Sequence, residues 1–164
     1  MPDPMTPAGA VTRGAMRLLD DMGFCCLSEF KLTSRRRVDV AGLNKAGRFA
    51  VVEVKSSLAD LRADAKWPEY LPYADWFYFA VDGAFPRDRL PDDVGLIVAD
   101  AHGAAVIRSA IEAPINGVRR RAQILRFALA GAGRVLGNAS DGLKPGQLFA
   151  WQALFNATGG RDGR

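Results

Sequence analysis

An α/β fold, with a mixed β-sheet flanked by helices on both faces, is predicted by three observations. The segments 36–43, 49–55 and 76–81 are short and rich in β-branched or aromatic residues. The 36–43 and 49–55 segments are also apolar on both alternating faces, the pattern of central strands covered from two sides. Apolar residues recur at helical spacing in 10–22 and again from Val118 onward, supplying the covering layers. Finally, 164 residues with 49% hydrophobic content are enough for one globular core, and 24% charged residues argue against disorder.

The first nine residues hold three prolines and no periodicity, and read as a loose arm. Val11, Ala15, Leu18, Leu19 and Met22 then mark a helix, with Thr6 or Thr12 as its cap and Gly23 as its stop. Phe24 to Leu32 reads as a strand, and Thr33-Ser34-Arg35 turns the chain into the strand that carries Asp39. Residues 58–67 read as a helix that Pro68 interrupts. Trp76 to Val81 is a buried strand. Val94 to Ala99 and Ala104 to Ser109 form a hairpin around Asp100-Ala101-His102-Gly103, which makes His102 a surface turn residue. Val118, Ala122, Leu125, Leu129 and Ala132 mark an amphipathic helix packed on the sheet, and Pro145 to Ala157 suggests a last helix. The resulting division is an arm over 1–9, one domain over 10–158 (core about 10–110, C-terminal helices over 117–157) and a tail over 159–164.

The formal charge of +4 is mild, but arginine is clustered at Arg35, Arg36 and Arg37 and again at Arg119, Arg120 and Arg121. Such clusters fit a polyanionic partner, or else a solvated basic face. No apolar run approaches the ~18 residues of a membrane span, and no secretory signal is visible. Cys25 and Cys26 are adjacent and have no third cysteine to pair with, as expected of reduced thiols in a cytoplasmic protein.

The chemistry concentrates between residues 29 and 55. A three-residue loop, Lys45-Ala46-Gly47, suits a type I turn closed by a left-handed residue. It pairs Asn44 with Arg48 and, counting back, Asp39 with Glu53. Side chains alternate along a strand, so Glu53, Lys55 and Asp39 share one face. If 33–35 is also a three-residue loop, Glu29 lands opposite Asp39 and three carboxylates form a row. A one-residue slip would reverse this, and no glycine marks that turn. Opposed carboxylates on an apolar sheet repel and cost several kcal/mol without a partner. A divalent cation answers the need. Asp39 and Glu53 are hard ligands suited to Mg²⁺ or Mn²⁺, the Val54 backbone carbonyl could join them, and Lys55 could orient a metal-activated water. Glu-x-Lys alone is a weak motif, and the plainer reading is a strand pair with a salt bridge.

Asp39, then thirteen residues, then Glu53-Val54-Lys55, after a helix and a strand, resembles the PD-(D/E)XK nuclease superfamily. The longer block Arg36-Arg37-Val38-Asp39-Val40 through Glu53-Val54-Lys55-Ser56-Ser57, then Lys66-Trp67-Pro68-Glu69-Tyr70 and Trp76 to Val81, resembles the MmcB-type DNA repair proteins. The resemblance implies a restriction-endonuclease-like core, metal held by Asp39 and Glu53, a catalytic lysine at Lys55, and DNA as substrate. Val38 stands where the superfamily pattern has proline, and touches no ligand. Related nucleases often use a residue on the helix after the lysine, which makes Lys66 and Tyr70 auxiliary candidates. Arg35, Arg36, Arg37, Arg62, Arg119 and Arg120 are the expected nucleic-acid contacts, while Asp60 and Asp64 read as helix-surface ion pairs. Other repair proteins are further expected partners. The leading expectation is a DNA endonuclease of the DNA-damage response. The alternatives are a DNA-binding adaptor on the same fold, inactive or weakly active, and an RNA-processing enzyme with the same metal chemistry.

Overall fold

The computed structural model describes residues 6–141 and divides the chain into two units, Met1–Phe127 and Ala128–Arg164. The first unit contains the whole sheet. The expected last helix, Pro145 to Ala157, and the tail over 159–164 lie outside the described residues.

The first described element is α1 (Pro7–Asp21), which begins within the segment expected as an arm. Thr6 caps the helix, its hydroxyl accepting the Gly9 N–H at 3.1 Å, and Pro7 fits the first turn because no intrahelical N–H bond is needed there. Six strands follow: β1 (Phe24–Lys31), β2 (Arg37–Asn44), β3 (Phe49–Val54), β4 (Trp76–Val81), β5 (Gly95–Ala99) and β6 (Ala104–Arg108). They lie in that order in one sheet. The β1–β2–β3 and β5–β6 pairs are antiparallel, while β3, β4 and β5 run parallel, giving a mixed open sheet. Between β3 and β4 lie a short helix, α2 (Leu58–Ala63), and a 3₁₀ segment, Trp67–Tyr73.

On one face, Val11, Ala15 and Leu19 of α1 pack against Val40, Ala50, Val52, Val54, Ala80 and Ile97. Gly14 permits this approach, since a Cβ there would lie 2.6 Å from the Asp100 carbonyl oxygen. On the other face, Trp67 of the 3₁₀ segment stacks on Phe77 at 5.7 Å and meets Phe79 edge-on at 5.4 Å. Phe127 packs against Phe30 and Phe49 with centroids 5.4 and 5.8 Å away.

Phe127 belongs to α3 (Gly117–Asp141), where the observed packing departs from the periodicity. Within the first unit, the apolar stripe expected against the sheet is exposed: Val118 is 81% and Leu125 61% accessible. The inward stripe is instead Arg120, Gln123 and Phe127. Gln123 is fully buried and donates to the Tyr73 carbonyl at 2.8 Å. Arg120 grips the buried carboxylate of Asp75, which fixes the rotation of the helix against its hydrophobic pattern. Among the described residues no helix is long and apolar enough to cross a membrane.

Candidate metal centre

The β2–β3 turn forms as its sequence dictates. Gly47 adopts φ 74°, the Asn44 N–H donates to Arg48 O at 3.0 Å, and the ladder pairs Val40 with Val52. That register sets Asp39 opposite Glu53, but the backbone pairing ends one step before them. Asp39 Oδ2 accepts the Val54 N–H at 2.7 Å, so a side chain takes the place a strand carbonyl would fill. β3 continues beside β4 through Lys55 N–H to Ala80 O at 2.9 Å. The central strands therefore part at the acidic pair while the parallel side of the sheet remains closed.

The β1–β2 turn follows the second expected register. Leu32 N–H donates to Arg36 O at 2.7 Å, and Ser28–Val40 and Phe30–Val38 pairs bracket Glu29 opposite Asp39. Two non-glycine residues carry the geometry: Arg35 at φ 68° closes the loop, and Glu29 at φ 51° kinks β1 beside the site. Each sits in a region that disfavours a Cβ. The Glu29 carboxylate pairs with Arg37 Nε at 2.8 Å.

These residues line one cleft of about 220 Å³. Glu29, Asp39, Glu53, Val54 and Lys55 form its sheet wall, Ala8 and Thr12 of α1 one flank and Asp60 of α2 another. Glu53 is 7% and Lys55 3% exposed. Lys55 Nζ lies 3.2 Å from Glu53 Oε1 and 2.6 Å from Asp64 Oδ2. Among the described residues the other oxygen, Glu53 Oε2, is buried with no hydrogen-bond partner.

Electrostatics follow from that packing. Burial, then the charge of Asp39, pushes the Glu53 carboxyl up to about 8, against the pull of Lys55. Burial likewise raises Asp39, although the Val54 N–H and Lys55 favour its charged form. Burial opposes the charge on Lys55, but the bond to Asp64 and the nearby carboxylates outweigh it and raise its pKa. Tyr70, buried near this cluster, is pushed up to about 12 by desolvation and then by Glu53. The cleft is thus short of positive charge. The orphaned oxygen of Glu53 beside Asp39 fits a hard dication. Among the described residues no group of three His, Cys, Asp or Glu side chains converges on one point. The protein share of such a site is therefore two carboxylates, with Glu29 held by Arg37. Mg²⁺ suits this because it retains several of its waters.

The remaining expectations divide by position. Arg35 and Arg37 sit where β2 begins, at the same sheet end as Glu53 and Lys55, and Arg62 is exposed on α2. Arg36 is held by both oxygens of Glu69, at 2.8 and 3.1 Å. Arg119 and Arg120 are displaced from the site. Arg119 lies over the Tyr73 ring and donates to Pro72 O at 3.2 Å. Arg120 binds Asp75 and Gly47 O beside the opposite end of β3, about 17 Å away by strand length. Its guanidinium has a structural role. Lys66 is exposed and does not line the cleft; its backbone N–H donates to Asp64 Oδ1 at 3.2 Å. Asp64 was the residue the sequence concealed. Its place on a helix surface was expected, yet it caps α2 and turns back onto Lys55, and spacing alone carries no sign of that return.

Comparison with known proteins agrees with this architecture. A solved structure, the SPO1766 protein of unknown function from Silicibacter pomeroyi, matches at 39% identity with a TM-score of 0.80, covering 86% of this chain and 97% of that one. No match is found among curated proteins. Residues 5–141 match the family described as DNA repair protein MmcB-like, which spans the sheet, the acidic cleft and α3. The chain belongs to the MmcB-like family of DNA repair proteins.

Proposed function

We propose that this protein is a divalent-metal-dependent DNA endonuclease acting in DNA repair, with a centre of the PD-(D/E)XK type. The observation that carries this reading is the buried Glu53 carboxylate, one oxygen facing Lys55 and the other without a partner among the described residues, beside the equally crowded Asp39. Asp39 and Glu53 would hold Mg²⁺ or Mn²⁺, with the Val54 carbonyl as a further donor. When bound, such an ion makes a water more acidic and offsets negative charge on phosphate.

The chain's own groups supply the rest. Lys55 Nζ orients the attacking water and offsets charge on the pentavalent phosphorus. The water oxygen forms the new P–O bond as one ester P–O bond breaks, and the departing sugar oxygen takes up a proton from solvent in place of the one the water releases. Arg35, Arg37 and Arg62, exposed around the end of the sheet that carries Glu53 and Lys55, follow the phosphate backbone, which positions DNA without reading its sequence. The arginines at the far sheet end take no part in this contact.

Cleavage of nicked, flapped, branched and crosslinked DNA with Mg²⁺ or Mn²⁺ tests the reading, with matched RNA substrates in parallel. Scission of DNA that disappears in Lys55→Ala while DNA binding persists is the expected result. Binding without scission by the unmodified protein would favour an adaptor, and preferential RNA cleavage an RNA-processing enzyme.

A further inference from the structure

The segment joining Lys55 to the 3₁₀ turn has an unusual construction. α2 contains six residues, Leu58–Ala63, none of them buried, so packing does not explain it. It is held by polar contacts. The Ser57 hydroxyl accepts the Asp60 N–H at 3.1 Å, and Asp60 Oδ2 in turn accepts from the Ser56 N–H at 3.1 Å. The Asp64 N–H closes on Asp60 O at 3.1 Å, and Asp64 Oδ1 accepts the Lys66 N–H at 3.2 Å. The outcome of these contacts is that Asp64 Oδ2 arrives 2.6 Å from Lys55 Nζ.

Two carboxylates thus compete for one ammonium. The Asp64 contact is the shorter, 2.6 against 3.2 Å for Glu53. Asp64 does not line the cleft, whereas Glu53 and Lys55 do. If Asp64 were absent, Glu53 would remain as the contact identified for the Lys55 ammonium, and a tighter Glu53–Lys55 pair would neutralise the carboxylate that faces the cleft.

We infer that Asp64 is a positioning residue: it draws the Lys55 ammonium away from Glu53 and so keeps a Glu53 oxygen available to a divalent cation. This rests on the metal-centre reading above. The six-residue helix is the arm that delivers the competing carboxylate, and its polar fastening serves placement.

The test is Mn²⁺ affinity measured by calorimetry on the full chain, with no substrate and no turnover. Asp64→Asn keeps the shape of the side chain and removes its charge, and α2 has no buried residue to lose. Removing a negative charge weakens cation binding in any case, so the variant is also made on a Lys55→Met background, where no ammonium can move. The expected result is about tenfold weaker Mn²⁺ binding for Asp64→Asn alone and at most about twofold weaker on the Lys55→Met background, a coupling characteristic of groups in contact. Asp64→Glu should restore part of the loss. Equal losses on both backgrounds would overturn the inference and leave Asp64 as a nearby charge that does not act through Lys55. If the unmodified protein binds no Mn²⁺, the metal centre itself fails, and this inference fails with it.

Discussion

Arg120 binds both carboxylate oxygens of Asp75, at 2.8 and 2.7 Å, and thereby ties the start of α3 to the foot of β4. Asp75 is fully buried and is also the acceptor for the Phe49 N–H at 2.8 Å and the Ile115 N–H at 3.3 Å. Three separate segments converge on this one carboxylate. Arg48 Nε also lies 3.5 Å from Asp75 Oδ1, so removing Arg120 would leave the buried charge with a weaker cationic partner, at a cost of up to about 3–5 kcal/mol. Arg120→Ala should therefore lower the urea midpoint sharply, with little change in the slope. A midpoint equal to that of the unmodified protein would show that the pair contributes nothing.

The same carboxylate gives the fold a defined acid response. Burial works against its charge, but Arg120 and the two backbone donors win and hold Asp75 below the usual carboxylate range. A depressed pKa means that the unfolded chain binds the proton more readily than the native one. The stabilisation is complete above the unfolded value near 3.9 and is lost as pH falls through the native value. Denaturation followed from pH 5 down to 2 should show this loss. Asp75→Asn should flatten that limb of the curve while lowering stability at neutral pH.

Helix α3 offers a contrast between neighbours. Phe127 is 8% exposed between Phe30 and Phe49, whereas Leu125, two residues earlier, is 61% exposed. Phe127→Ala should cost about 3–5 kcal/mol, as buried aromatic truncations do. Leu125→Ala should stay within about 0.5 kcal/mol. If chemical denaturation ranked them in the opposite order, the helix would be rotated by about half a turn from its place here.

That rotation marks the boundary of what the sequence discloses. Apolar spacing placed the α3 helix correctly but pointed its stripe at the sheet, because the residue that fixes its face is a cation paired 45 positions away. The β2–β3 register was legible because Gly47 announces a left-handed position and a turn of fixed length. The β1–β2 register is the same kind of turn, but an arginine fills the left-handed place, so the chemistry that would mark it is absent. Asp39, Glu53 and Lys55 came together because strand alternation is local and exact in period. Asp64 could not be read in the same way, since a capped six-residue helix and a tight turn must both form before it meets Lys55. The two arginine clusters look alike in sequence, and the length of the sheet separates them.

That separation gives a prediction about DNA. Arg62 is exposed on α2, the helix that follows Lys55, and Arg119 lies over Tyr73 at the far end. In a salt titration of binding to duplex DNA, each lost phosphate contact reduces the slope of log affinity against log salt by about 1. Arg62→Ala should show that reduction, with weaker binding across all sequences. Arg119→Ala should leave both slope and affinity unchanged. The reverse pattern would move the DNA to the opposite end of the sheet.

Glu53 carries the strongest conflict between stability and function. With its carboxyl pushed up to about 8 by burial and by Asp39, the native protein holds a proton that the unfolded chain releases near 4.5. Native-state proton binding that exceeds that of the unfolded chain makes stability fall as pH rises between those values. A tenfold difference in proton affinity between the two states is worth about 1.4 kcal/mol, so the metal-free protein should be distinctly less stable at pH 8 than at pH 5.5. Glu53→Gln removes the charge and should abolish most of that slope, making the metal-free variant more stable than the parent at pH 8. A dication bound at the same oxygens would act in the same direction, since any ligand of the native state raises its stability. Thermal unfolding of parent and variant in chelator at the two pH values, and of the parent with Mn²⁺ added, measures all of this. Parallel pH dependence in the two proteins would mean that Glu53 is charged at little cost, and the case for a cation-hungry cleft would lose its electrostatic basis.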